Sequence, residues 1–109
     1  MIDYKVLGQA ALTAETNTDV YTVPSATSAV ISTIVIANRD SLANTFRIAV
    51  RPNGATIANE HYVAYDVAIP ANDSTTLTLG VTVDAADVIT VYGGASSALS
   101  VNIFGSEIS

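Results

Sequence analysis

Enzymatic chemistry needs nucleophiles, acids, bases or metal ligands gathered in one place, and this chain offers few of them. His61 is its one imidazole, and it has no Cys. A Ser/His/Asp arrangement would have to be built around His61. Asp66 is predicted on the opposite face of the same strand, and none of the Ser residues lies in a Gly-x-Ser-x-Gly turn. The simpler reading is a surface or turn-flanking His. Zinc needs three or four ligands, and one His without Cys leaves only carboxylates to complete the set, which makes a zinc site unfavourable. Asp84 and Asp87 stand at loop spacing, with Asn72 and Asp73 in a second loop. Converging loops of this kind can offer oxygens to Ca²⁺, but the spacing matches no calcium loop. Short Asp and Asn side chains in turns more often accept from nearby backbone N–H groups. Gly93-Gly94 has no Lys downstream and precedes no helix, so it reads as a turn and not a phosphate cradle. No catalytic residue, cofactor or metal ligand is therefore assigned, and Ca²⁺ binding by a loop carboxylate cluster is left open.

The residues that stand out suit contact better than catalysis. Arg47 and Arg51 share one face of a predicted strand, where they either keep that face solvated or meet a carboxylate-bearing partner through paired hydrogen bonds. Tyr62 and Tyr65 are predicted on opposite faces, which would leave no aromatic platform. The run Val30-Ile31-Ser32-Thr33-Ile34-Val35-Ile36-Ala37 is apolar on both faces. A strand of that kind must be central or covered, because an exposed edge would pair with other chains. Ile34 and Ile36, with Arg47 and Arg51, are accordingly the candidate interface residues.

Period-two alternation, the mark of a strand with one buried face, positions these side chains. Phe46, Ile48 and Val50 alternate with Arg47, Ala49 and Arg51. Leu77, Leu79, Val81 and Val83 alternate with Thr78, Gly80 and Thr82, and Leu99, Val101 and Ile103 with Ser100, Asn102 and Phe104. Val88-Ile89-Thr90-Val91-Tyr92 reads as a short strand buried on both faces or facing a partner. Further strands are predicted at residues 4–9, 19–23, 28–37 and 61–69. Turn chemistry at residues 24–27, 51–54, 70–73 and 93–96 separates them, and 84–87 is either one helical turn or a tight loop. Val-Pro and Ile-Pro openings before the strands at 28 and 75 echo each other, as a duplicated half-sandwich or two independent Pro-started turns would. Val, Ile and Thr fill a third of the chain and favour pleated sheet. The expected fold is all-β: a single antiparallel β-sandwich spanning residues 1–109, jelly-roll-like, with about eight strands.

Composition removes several function classes. The chain has 109 residues, half of them hydrophobic and only 13% charged, which excludes intrinsic disorder. Four basic against ten acidic residues give a net charge of −6, which lacks the basic footprint of a nucleic-acid or anionic-membrane binder. The opening Met1-Ile2-Asp3-Tyr4-Lys5 has neither the basic region nor the apolar stretch of a signal peptide, so folding in a cytoplasm is expected. In a domain this small, two-sided burial of several strands leaves more apolar surface than one core uses. The surplus predicts a permanent interface, either in a homo-oligomer or within a larger assembly.

Several fragments, taken in order, resemble a known family. They are Tyr4-Lys5-Val6-Leu7-Gly8-Gln9, Val20-Tyr21-Thr22-Val23-Pro24, Thr45-Phe46-Arg47-Ile48-Ala49-Val50, Gly80-Val81-Thr82-Val83 with Asp87-Val88-Ile89, and Asn102-Ile103-Phe104-Gly105. Together the chain resembles the small virion structural proteins of tailed bacteriophages, including phages of cyanobacteria. The resemblance implies a non-enzymatic component of a virus particle, made in the host cytoplasm, with a sandwich fold and symmetric assembly. It supplies no catalytic residue and leaves head or tail open. The expected role is capsid decoration or cement: a homotrimer that binds the major capsid protein or another virion protein, and neither nucleic acid nor membrane. The alternative is a tail-fibre or baseplate module that takes part in assembly or recognises the host surface through loops 52–58 and 93–97. A small hydrolase or isomerase is the least favoured class.

Overall fold

The computed structural model describes residues 1–78 and 80–109. Among these described residues nine strands follow in order: β1 (Ile2–Ala11), β2 (Asn17–Thr22), β3 (Ser28–Asn38), β4 (Asn44–Arg51), β5 (Tyr62–Ile69), β6 (Ser74–Leu77), β7 (Val81–Val83), β8 (Val88–Gly93) and β9 (Leu99–Ile108). Two 3₁₀ turns, Pro52–Gly54 and Asn59–His61, lie between β4 and β5. The first sheet has the order β1-β9-β3-β6, with β7 also on β3; the second has β2-β8-β4-β5. The first half of the chain pairs with the second half in reverse, β1 with β9, β2 with β8, β3 with β6 and β7, and β4 with β5. Rolling that long hairpin brings β9 onto β3 and β8 onto β4. All these pairs are antiparallel, and the result is a jelly roll.

The strand count exceeds eight because β6 and β7 share one neighbour, pairing with β3 at Ile34 to Ala37 and at Ala29 to Ile31. The sequence predicts one alternating strand there. Leu79, which belongs to that alternation, lies outside the described residues.

Between the sheets lies one core, in which Phe46, Ile48, Ile69, Ile89, Val91, Leu99, Val101 and Ile103 are fully buried. Alternation on β9 is as predicted, and on β4 it holds through Ile48, while Ala49 on the Arg47 side is buried as well; β8 is central between β2 and β4. β3 behaves differently. Ala29 and Ile31 face the core ahead of a register shift between Ile31 and Thr33, and Ile34 and Ile36 face it afterwards. A bulge inserts one residue and exchanges the two faces of everything beyond it. Much of the strand's two-sided apolar pattern is thus a single stripe that changes phase at Ser32.

The predicted turns form with left-handed residues at Ala26, Asn53, Asn72 and Ala86. Residues 84–87 make a tight loop, closed by the Asp87 N–H donating to the Asp84 carbonyl at 3.0 Å. At Gly94 the requirement is space: a Cβ there would collide with Asn44 Oδ1 and Thr45 Oγ1.

Candidate functional site

The groups that could do chemistry are occupied locally. His61 ends the second 3₁₀ turn, and its Nδ1 accepts from the Ala58 N–H at 3.0 Å. Asp66 binds Arg47 and no histidine. Asp87 holds its own loop, with Oδ1 accepting from the Asn53 N–H and Oδ2 from the Asp84 N–H, both at 2.8 Å. Asp73 accepts from the Ser74 N–H at 2.7 Å. Among the described residues no three His, Asp or Glu side chains gather to hold a metal ion. No buried side-chain nitrogen or oxygen among them lacks a hydrogen-bond partner, so none is left aimed at an absent ligand. The two loops expected to recognise a host surface lie apart. Loop 52–58 lies beside Asp87, whereas the Ser96 carbonyl accepts from Asn44 Nδ2, at the far ends of β4 and β8.

What distinguishes the molecule is its two outward sheet faces. On the second sheet, Arg47 and Arg51 project from β4 on one face, as predicted, but the carboxylates they meet belong to their own chain. Arg47 donates from Nε and Nη2 to the Asp66 carboxylate at 2.6 and 3.3 Å. Its guanidinium lies 4.2 Å from the Tyr65 ring centre and 4.5 Å from that of Tyr92. Hydrogen bonding to Asp66 pushes the Arg47 pKa further up, so its charge is fixed. Arg51 donates from Nη2 to both Asp19 oxygens at 3.1 Å and from Nε to Thr90 Oγ1 at 3.0 Å. Thr90 in turn donates to Asp19 at 2.8 Å.

Tyr62 and Tyr65 are not on opposite faces as predicted. Their rings meet edge to face with centroids 4.9 Å apart. β5 shifts register twice against β4, and Asp66 adopts a left-handed φ of 50°. Extra residues in the strand turn both tyrosines to the Arg47 side. Period-two counting cannot see such bulges.

The first sheet presents a different surface. Along β1, Ile2, Tyr4 and Val6 point outward, with Tyr4 81% and Val6 47% exposed. Tyr4, Val6, Val30 and Phe104, with Lys5, Ser32, Gly105 and Ser106, line a shallow groove on this face. Ile108, opposite Ile2, extends the apolar band. Ile34 and Ile36, expected at an interface, are 1% and 0% exposed and belong to the core. The phase change at Ser32 puts them inside and leaves Val30 and Val35 half-buried on the outside.

Beneath the groove, at the sandwich edge, Glu107 joins the two sheets. Lys5 Nζ is 2.7 Å from Glu107 Oε1, and the Tyr21 hydroxyl donates to Oε2 at 2.6 Å. Lys5 first and Tyr21 second hold the Glu107 carboxyl below its ordinary value. Burial, then the bond to Glu107, pushes the Tyr21 phenol well above its ordinary value. This cross-sheet contact is beyond the reach of sequence reasoning, since nothing in the residue pattern links positions 21 and 107.

Compared with known proteins, the sequence matches no protein-family model, and no curated protein matches it.

Proposed function

We propose that the chain is a structural protein of a bacteriophage virion, a capsid decoration or cement protein that stabilises the head by bridging shell subunits. The observation that carries this reading is the outer face of the first sheet, where Ile2, Tyr4, Val6, Val30, Phe104 and Ile108 form a contiguous apolar band. Exposed apolar surface of this continuity marks contact sites in monomeric folds. The resemblance of the ordered fragments to phage virion proteins supplies the context. Repetition by lattice symmetry lets many weak contacts act together, and the acidic net charge keeps a high-copy protein soluble before it docks. The chain works without catalysis, as a homo-oligomer and against a shell subunit.

A tail-fibre or baseplate module is the second reading, favoured by one observation: Tyr65, 55% exposed, stands edge to face with Tyr62 beside Arg47, an exposed aromatic pair on the outer face of the second sheet.

Electron microscopy of intact particles labelled with an antibody to this chain tests both. Label on the head is expected; label on the tail selects the second reading, and unlabelled particles overturn both. Shells lacking the protein are expected to bind the wild-type chain and to fail with Val6→Asp.

A further inference from the structure

β1 supplies a geometry for self-association. This strand ends the first sheet and, among the described residues, pairs with β9 alone. The other sheet edges are poor templates. β6 and β7 are four and three residues long. β2 is broken by a register shift at Val20, and β5 by two shifts. β1 runs in regular register from Ile2 to Val6.

Hydrogen bonding fixes which backbone groups face the open edge. The Met1 ammonium donates to the Ser109 carbonyl at 2.6 Å, and the Ser109 N–H donates to the Met1 carbonyl at 3.0 Å. Opposed residues of an antiparallel pair alternate between bonded and non-bonded. Asp3 and Lys5 therefore turn their N–H and C=O toward β9, while Ile2, Tyr4 and Val6 turn theirs outward.

We propose that β1 pairs antiparallel with β1 of a second copy about a two-fold axis at Tyr4, continuing the first sheet from one copy into the next. This rests on the reading of the chain as a self-associating assembly protein and names that contact. Opposed side chains must lie on the same sheet face, so the axis passes through a residue. An axis at Asp3 sets Asp3 against the partner's Asp3, and one at Lys5 sets Lys5 against the partner's Lys5. At Tyr4, Asp3 meets the partner's Lys5 and Lys5 meets the partner's Asp3. Ile2 then meets the partner's Val6 on the apolar face, and Tyr4 meets the partner's Tyr4. The same axis opposes the residues whose backbone groups face outward, so each such pair can exchange both bonds. Both charges are accessible, with side-chain exposures of 44% for Lys5 and 62% for Asp3. Within one chain they are 3.9 Å apart, too far for a hydrogen bond, and Lys5 spends one donor on Glu107. The contact stops at the bulge, because β1 then closes on β2: a Cβ on Gly8 would collide with the Val20 carbonyl.

A two-fold contact makes dimers, in contrast to the trimer expected from the sequence, and sedimentation of the purified chain at micromolar to millimolar concentration separates them. A dimer is expected. Asp3→Lys and Lys5→Asp each oppose like charges twice and should weaken it roughly tenfold or more. Mixing these two variants should restore a heterodimer, and the double exchange should dimerise as the wild type does. Lys5→Asp also removes a contact to Glu107, so circular dichroism checks each fold. Tyr4→Cys reads the register without a charge change: in this Cys-free chain it should oxidise to a linked dimer, whereas Leu42→Cys should not. A wild-type monomer or trimer, a dimer indifferent to the single exchanges, or a mixture that stays monomeric would overturn the two-fold contact. Such failure leaves incorporation into particles untouched, whereas absence of an intact dimer from particles counts against the virion reading alone.

Discussion

The outer faces of the two sheets differ in how their side chains are satisfied. On the second sheet, Asp19, Thr90 and Arg51 form one closed set and Asp66, Arg47, Tyr65 and Tyr92 another. The charges in both sets are answered within the chain, so a partner would have to replace bonds already made. On the first sheet, Ile2, Tyr4, Val6 and Ile108 are exposed with no such covering layer. Two of the four basic residues are committed to the second face. A sheet face tied up by its own ion pairs is a poor dock, and one left apolar beside a free edge is a good one.

The contrast depends most on which face of the first sheet is buried. Ile34→Asp buries an unpaired carboxylate in the core, a loss of about 4 kcal/mol or more, against a total stability of about 5–15 kcal/mol for a domain. No cooperative thermal transition is expected. Val30→Asp, four residues earlier on the outer face, should fold, melt cooperatively and keep the dimer but lose binding to the shell. Equal damage from both would mean that β3 has no outer face.

Arg51→Ala probes the sealed face. It removes donors to Asp19, Thr90 and the Ala55 carbonyl, at a cost of about 1–2 kcal/mol in chemical denaturation, since the acceptors remain partly open to water. Arg47→Ala should cost less. Neither should change the oligomeric state seen by sedimentation. A shift toward monomer in either variant would show that the sealed face also carries a contact.

How far the sequence carries depends on where the strands keep strict alternation. β9 keeps it and β4 keeps it through Ile48, so Phe46, Ile48, Leu99, Val101 and Ile103 are identifiable as core, and Arg47 and Arg51 as neighbours on one face. The turns are legible from Pro, Gly and Asn, and with the short strand spacing they suffice for the jelly roll. Two of the misplacements have a bulge behind them. One extra residue at Ser32 moves Ile34 and Ile36 inside, and extra residues in β5 bring Tyr62 and Tyr65 together. A bulge depends on what lies across the ladder, which a one-dimensional pattern does not contain. The open face was hidden for a related reason: Tyr4 and Val6 read as one stripe of an ordinary strand, and only the sheet order makes β1 an edge.

The smallest effect that sharpens the contrast is a dependence on pH beneath the open face. There Glu107 is held by Lys5 and Tyr21, and its carboxyl titrates below its ordinary value. A carboxylate depressed by folding stabilises fully above its unfolded pKa, and that stability is lost as pH falls through the folded value. Tyr21 shifts the other way and keeps its proton through this range, so its hydroxyl donates until Glu107 is protonated. Asp40 adds a second acid-sensitive tie, lowered chiefly by the Ser96 hydroxyl and then by the Ser41 N–H. Denaturant midpoints should therefore fall between about pH 6 and about pH 3. Glu107→Gln should start lower at neutral pH and fall less steeply, with Asp40→Asn removing a separate share of the slope. A Glu107→Gln profile parallel to the wild type would mean that Lys5 and Tyr21 do not hold the carboxylate in solution.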